Sequence, residues 1–223
     1  MIRLPRYLLL DALIGYKGTG GGPPPPPAWN ISSFIATPNV IEVGASQTVT
    51  LNWIMTNNPD SQSINNGIGS LAVSARSVVT PVLNTTTTYT LSATKSSNPY
   101  SANTTINFRK KRYWFVSADP NIGNSAFAYG TLPVGFSEEF TAQRMKNNVE
   151  FDCNGGRYFY YMYPAEYGVA SGTQLIFNSF SVELDPANIR TVNFTNQSGY
   201  TSSYIVLRSD NLLNSDDIFV NFL

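Results

Sequence analysis

The sequence predicts an all-β protein: two tandem β-sandwich domains, Ig-like and then C-terminal, preceded by an extended N-terminal anchor and a polyproline linker. Three observations lead there. Short alternating apolar stretches recur every 8 to 12 residues between Gly, Pro and Asn turn signals. No stretch of residues 113–223 sustains a 3.6-residue period. One segment, Tyr158-Phe159-Tyr160-Tyr161-Met162-Tyr163, is aromatic or apolar at every position, and flat rings favour a pleated sheet. Its side chains alternate, so Tyr158, Tyr160 and Met162 share one face, and Phe159, Tyr161 and Tyr163 the other. A strand apolar on both faces needs cover on both. Pro164 lacks a ladder donor and ends the pairing, and Gly168 permits the turn that follows.

Residues 1–28 stand apart from any domain. Arg3 and Arg6 precede the apolar run Leu8-Leu9-Leu10-Asp11-Ala12-Leu13-Ile14. Asp11 interrupts that run and no small-residue cleavage site follows before Lys17, which argues against a signal peptide. The run is also shorter than the ~20 apolar residues of a membrane-spanning helix. Gly18 to Gly22 make a swivel, and Pro23 to Pro27 make a stiff spacer rising about 3 Å per residue. A short apolar peptide on a swivel and a rod reads as an anchor that docks onto another protein.

Residues 29–111 read as the first sandwich. Trp29 to Ile35 supplies a strand, Thr37-Pro38-Asn39 a turn, and Ile41 to Gly44 the next strand. In Thr48 to Trp53, Val49, Leu51 and Trp53 alternate with Thr50 and Asn52. Asn57-Asn58-Pro59-Asp60 and Asn65-Asn66-Gly67 mark turns, and strands follow at Tyr89 to Ala93 and Ser101 to Phe108. Such spacing marks an Ig-like sandwich. The junction Arg109-Lys110-Lys111-Arg112 is expected to be a solvated link or a contact to an acidic neighbouring subunit.

Residues 112–223 read as the second sandwich. Its expected strands are Tyr113 to Ser117, Glu139 to Arg144, Val149 to Asp152, Tyr158 to Tyr163, Leu175 to Phe177, Val182 to Leu184, Ile189 to Phe194, Tyr204 to Arg208 and Ile218 to Phe222. Turns are expected at Asn154-Gly155-Gly156, Ser171-Gly172, Asp185-Pro186 and Ser198-Gly199.

Composition narrows the chemistry. Fourteen basic and fourteen acidic residues cancel, so no net charge favours nucleic acid or an anionic membrane. Charged residues are 13% of the chain, against about 25% in ordinary soluble domains. Asn, Ser and Thr take their place, and such a neutral surface suits a protein packed beside many copies of itself. The chain has no histidine, which removes Ser-His-Asp and Cys-His catalysis and histidine metal sites. The single Cys153 closes no intrachain disulfide and reads as a structural thiol.

Four further patterns carry chemistry on paper. Glu150 and Asp152 are two apart on one strand face, about 6–7 Å from each other, a spacing to weigh for glycan cleavage; they read as two solvated acids. Asp210-Asn211…Asn214-Ser215-Asp216-Asp217 is rich in oxygen ligands but lacks the glycine and spacing of an EF-hand loop, and reads as a turn. Tyr158, Tyr160, Tyr161, Tyr163 and Tyr167 read as core and subunit interface, with a glycan-stacking platform as the alternative. The Asn-x-Ser/Thr sequons at Asn30, Asn84, Asn103, Asn193 and Asn196 arise by chance in so Asn-, Ser- and Thr-rich a chain.

Two sets of motifs resemble a known family. Glu42-Val43-Gly44 and Val49-Thr50-Leu51-Asn52-Trp53, followed by Asn84-Thr85-Thr86-Thr87-Thr88-Tyr89-Thr90-Leu91-Ser92-Ala93, resemble the Ig-like modules of bacteriophage virion proteins, which lack the Cys pair of antibody domains. The Tyr113-Trp114-Phe115-Val116-Ser117 start, the Tyr158-to-Gly168 centre, and Gly199-Tyr200 followed by Tyr204 to Ser209 resemble modules that follow Ig-like domains in phage tail and baseplate proteins. Together they cover residues 29–223. The resemblance implies a non-enzymatic virion component of the tail, baseplate or fibre-attachment region, assembled in the host cytoplasm. Residues 1–28 would dock it to other virion proteins, and it would be a homo-oligomer without cofactor, metal, nucleic-acid or membrane partner. The alternatives are a capsid-decorating or head-fibre protein, and a carbohydrate-binding module that engages host glycans.

Overall fold

A computed structural model of the chain describes residues 29–169, 174–177, 180–183, 185–215 and 218–222, the two short stretches between 174 and 183 as backbone. The expected anchor and linker (residues 1–28), the Ser171-Gly172 turn, Leu184, Asp216 and Asp217 lie outside the described residues. The described chain is built of β-strands and three short 3-10 turns, and none of its helices is long and apolar enough to cross a membrane.

Residues 31–109 form eight strands: β1 (Ile31–Thr37), β2 (Val40–Glu42), β3 (Thr50–Met55), β4 (Ser61–Ile64), β5 (Gly69–Leu71), β6 (Ser77–Val79), β7 (Thr87–Lys95) and β8 (Asn98–Arg109). They make a three-stranded sheet, β1-β3-β6, and a five-stranded sheet, β2-β8-β7-β4-β5. One hydrophobic core joins them, with Phe34, Leu51 and Trp53 from the first sheet and Ile41, Ile64, Tyr89, Leu91 and Ile106 from the second. The alternation expected in β3 is present: Leu51, Trp53 and Met55 are buried, and Ile54 is exposed.

Strands β4, β5 and β6 are additions to the expected set, and Gln62 explains why β4 was hidden. It occupies the inward position next to Ile64 and is 4% exposed. Its Oε1 accepts from the Trp53 indole (3.1 Å), and its Nε2 amide donates to the carbonyls of Ala72 and Ala75. A polar residue satisfied on both ends can fill a core position, and it breaks the apolar alternation on which strand recognition rests. The expected Asn65-Asn66-Gly67 turn lies in the connection from β4 to β5, where Asn66 (φ 52°) and Gly67 (φ 84°) are both left-handed, a conformation that Gly and Asn adopt most readily.

Residues 111–222 form ten strands: β9 (Lys111–Ser117), β10 (Phe127–Ala128), β11 (Ser137–Phe140), β12 (Lys146–Phe151), β13 (Tyr158–Pro164), β14 (Gln174–Phe177), β15 (Phe180–Glu183), β16 (Ile189–Thr195), β17 (Thr201–Arg208) and β18 (Ile218–Phe222). The six-stranded sheet runs β10-β16-β17-β13-β9-β11 and the four-stranded sheet β12-β18-β14-β15. The aromatic strand β13 is interior, antiparallel to β9 on one side and β17 on the other.

Both faces of β13 are covered, by different means. Phe159, Tyr161 and Tyr163 meet Val149, Phe151, Ile218, Val220 and Phe222 of the four-stranded sheet. Tyr160 and Met162 meet Leu132, Ile122, Phe127, Tyr129 and Phe136. That second cover is the segment 118–136, to which the sequence pattern assigned no strand. The strand expected at Glu139 to Arg144 is Ser137–Phe140 instead. Thr141 ends it, because its Oγ1 donates to the Gln143 carbonyl (2.5 Å) and accepts from the Gln143 amide (3.1 Å), a local bond that competes with the ladder. The first strand is likewise displaced to Ile31–Thr37, with Trp29 outside it.

Phe159 is 2% exposed and stacks on Phe151 at 5.0 Å. Phe159→Ala is expected to cost about 3–5 kcal/mol, measured by urea unfolding. Phe219→Ala, at an exposed position, is expected to cost well under ~1 kcal/mol.

Candidate functional site

The most developed polar constellation lies where the chain crosses from the first pair of sheets to the second. Strand β8 ends at Arg109 and β9 begins at Lys111, so Lys110 alone separates them. Strand β2 runs parallel to β8 with Glu42 opposite Arg109, which places Glu42 beside the crossing. Its carboxylate is 8% exposed. It accepts from the Ser198 amide (3.2 Å), the Ser198 hydroxyl (2.8 Å) and the Tyr113 hydroxyl (3.4 Å), and lies 3.9 Å from the Lys111 ammonium. A buried carboxylate is tolerated when donors and a counter-charge surround it.

The partner surface is the hairpin turn Asn196–Tyr200 between β16 and β17. Asn196 shapes the turn by accepting from the Tyr200 amide (2.9 Å) and donates its own amide to the Val43 carbonyl (2.7 Å). Gly44 sits under Tyr200 with φ 97°, and a Cβ there would come within 2.5 Å of the Tyr200 Cβ. The residues Glu42-Val43-Gly44, singled out by pattern, are thus one side of a latch and the Ser198-Gly199 turn is the other.

The basic run at 109–112 requires a correction. It is neither a solvated link nor free for an acidic neighbour, because three of its four residues are paired within the chain. Lys110 meets Glu166 (2.5 Å), Lys111 meets Glu138 (2.5 Å) as well as Glu42, and Arg112 meets Glu139 (2.5 Å). Arg112 also donates to the Met145 carbonyl and to the Tyr161 hydroxyl (3.1 Å). The acids that neutralise the run are far away in sequence, so no local pattern announces them.

The tyrosines of β13 are tied inward. Tyr160 donates to the Asp119 carbonyl (2.6 Å), Tyr161 to that of Arg144 (2.6 Å) and Tyr163 to that of Gly168 (3.3 Å). All three are buried. Tyr158 lies under the Arg208 guanidinium, 4.6 Å from its ring centre, and half-buried Tyr167 donates to Thr141. The buried rings of Tyr160, Tyr161 and Tyr163 offer no face to a sugar, whereas Tyr158 and Tyr167 are half-buried.

The remaining candidates separate as follows. Glu150 and Asp152 are both exposed and border an open groove of about 450 Å³ with Trp114, Ser137, Lys146 and Asn148. The Lys146 ammonium covers one face of the Trp114 ring at 4.5 Å and pairs with Glu139 (2.8 Å). Trp114 also packs against the core beneath, so it offers no free stacking platform. Asp210 accepts from the Asp185 amide (3.1 Å) and the Asn188 side chain (2.8 Å) and thereby braces the loop before β16. Among the described residues no three Cys, Asp or Glu side chains gather as a metal site. Cys153 is buried, and burial pushes its thiol up to about 11, so it stays protonated at neutral pH.

No protein-family model, curated protein or solved structure matches the chain.

Two predictions follow from this geometry. Glu42→Ala removes a charged acceptor and is expected to cost about 1.5–3 kcal/mol in urea unfolding. Gly44→Ala should also destabilise, whereas Glu150→Ala should leave the midpoint unchanged. Alkaline pH tests the tyrosines. Burial pushes Tyr160 and Tyr161 up to about 12, partly offset by Arg208 and Arg112 respectively, and pushes Tyr113 and Tyr204 higher still. The unfolded chain ionises them near 10. The stability they confer is therefore complete below pH 10; that from Tyr160 and Tyr161 is lost as pH rises from 10 to about 12, and that from Tyr113 and Tyr204 goes on falling above it. Absorbance at 295 nm should show the buried phenols ionising in one step with loss of circular dichroism. Ionisation of all 13 tyrosines near pH 10 with the fold intact would contradict this.

Proposed function

We propose that this chain is a non-enzymatic structural component of a bacteriophage particle, placed in the tail, baseplate or fibre-attachment region. In this reading residues 29–111 are an Ig-like sandwich, residues 112–223 a second sandwich, and residues 1–28 the arm that joins the protein to its neighbours in a homo-oligomer. The observation that carries the reading is the latch. Glu42, Val43 and Gly44 on one side and Asn196–Tyr200 on the other spend a buried carboxylate and a close glycine contact on holding two β units in register. Glu42, Val43 and Gly44 lie in the first motif set and Tyr200 in the second, with Asn196 and Ser198 just before it, so the resemblance and the geometry meet at one place. A fixed relation between two β units suits a spacer in an assembly.

Gold-labelled antibody against the protein, applied to purified particles of the phage that encodes it, tests the proposal by electron microscopy. Label at the tail or its tip is the expected result. Label on the head would select the decoration or head-fibre alternative, and unlabelled particles would remove the proposal. A glycan array probed with the purified protein separates the carbohydrate-binding alternative, which requires a positive signal.

A further inference from the structure

Among the described residues, Lys111 is the lysine that meets two carboxylates: Glu138 Oε1 at 2.5 Å and Glu42 Oε1 at 3.9 Å. The other paired lysines, Lys95, Lys110 and Lys146, each meet one. Three elements far apart in sequence build the cluster, with Lys111 on β9, Glu138 on β11 and Glu42 on β2. The register of β11 on β9 pairs Phe140 with Lys111 and Glu138 with Tyr113. Residues two apart share a face, so Lys111 and Glu138 are diagonal neighbours, a separation that long side chains span.

The cluster is largely shut off from water. The side chains of Lys111, Glu42 and Glu138 are 13%, 8% and 26% exposed. Tyr113, Tyr129 and Phe136 pack against one another at ring-centre distances of 5.2 to 6.2 Å, and the Phe140 ring centre lies 5.4 Å from the Lys111 ammonium. The two acids are held differently. Glu42 is fixed by Ser198 and Tyr113. Glu138 accepts from Lys111 through Oε1, while its Oε2 is buried without a hydrogen-bond partner. A buried ion pair is favourable when further hydrogen bonds satisfy its remaining oxygens, and this pair lacks one. Conversion to a neutral amide removes both charges and one of the two oxygens.

We propose that Lys111 and Glu138 condense to an intramolecular isopeptide bond, with Glu42 as the proton carrier. The step needs an amine, a carboxylic acid and a base. Proton transfer across the 2.5 Å contact turns the ammonium and the carboxylate into the first two. The Lys111 Nζ then gives its electron pair to the Glu138 Cδ, and a C–N bond forms. Glu42 takes the proton that Nζ sheds and passes it to the departing hydroxyl. The Cδ–O bond breaks, one water leaves, and Glu42 ends as the carboxylate it began as. No oxidant, metal or cofactor enters the balance. Contact held by the fold supplies the concentration, an effective ~10⁵–10⁸ M for well-oriented groups. The neighbouring Arg112–Glu139 pair is inert to this chemistry, because a guanidinium stays protonated.

The bond ties β11, at the edge of the six-stranded sheet, to β9, the next strand in. It sits beside the turn that Glu42 holds through Ser198, so the carboxylate that serves the latch also serves the cross-link.

Intact-mass spectrometry of the full-length protein, unfolded before measurement, tests the proposal. Wild type is expected about 18 Da, one water, below the mass its sequence gives. Digestion is expected to yield a branched peptide that joins Lys111 to Glu138. Lys111→Arg, Glu138→Ala and Glu42→Gln are each expected at their full sequence mass, with circular dichroism showing that the fold is kept. If Glu42→Gln does not fold, Glu42→Asp replaces it; it keeps the charge with a shorter reach, and a smaller cross-linked fraction than wild type is expected. Wild type at its full sequence mass would overturn the bond, as would a branch at other residues or a water loss that persists in Lys111→Arg. A folded Glu42 variant that condenses as completely as wild type would remove Glu42 as the carrier. The virion reading stands or falls on particle labelling, independently of these masses.

Discussion

The hydroxyl groups of buried tyrosines hold this protein's second half together. Each ring of Tyr160, Tyr161, Tyr163 and Tyr204 supplies apolar area to a core, and each hydroxyl reaches a main-chain carbonyl in another segment: Asp119, Arg144, Gly168 and Lys111 respectively. A buried phenol without an acceptor costs stability, and a loop carbonyl turned from water needs a donor. Each bond settles both demands. Segments with little regular structure, such as 118–136 and 141–145, are therefore positioned by the strand they cover. The Tyr161 hydroxyl also accepts from Arg112, which carries the same network into the basic strand at the crossing.

What sequence reveals here follows from how local each signal is. The faces of β13 could be assigned by counting, because a period of two needs no knowledge of the neighbours. Cover on both faces then followed from its being apolar on both sides. Strand β4 was illegible because Gln62 fills a core position with hydrogen bonds to Trp53, Ala72 and Ala75, partners that only the fold brings near. The cover at 118–136 had a signal that went unused: Phe127, Tyr129, Leu132 and Phe136 are the residues available to satisfy the second face of β13. At the latch, Glu42-Val43-Gly44 was visible as a motif, but its partner lies more than 150 residues away. The charges at 109–112 were visible while Glu138, Glu139 and Glu166 as their counter-ions were not.

A common preference for neutral contacts unites these features. Most of the surface hydrogen-bonding capacity comes from Asn, Ser and Thr, while several of the few charges are spent internally in the pairs around Lys110, Lys111, Arg112 and Lys146. With so few charges outside, any contact this surface made would meet little long-range repulsion, and its specificity would have to come from shape and from local hydrogen bonds. Such a contact would respond weakly to salt, since screening acts only on charge.

The single residue between β8 and β9 has a mechanical consequence. One covalent crossing at Lys110 would by itself be a pivot between the strands on either side of it. The hydrogen bonds from the Asn196–Tyr200 turn to Glu42 and Val43 add a second point of attachment beside it. Two points define an axis and oppose torque about the chain, so a pull or twist applied at one end reaches the other through short polar bonds loaded in parallel with the backbone.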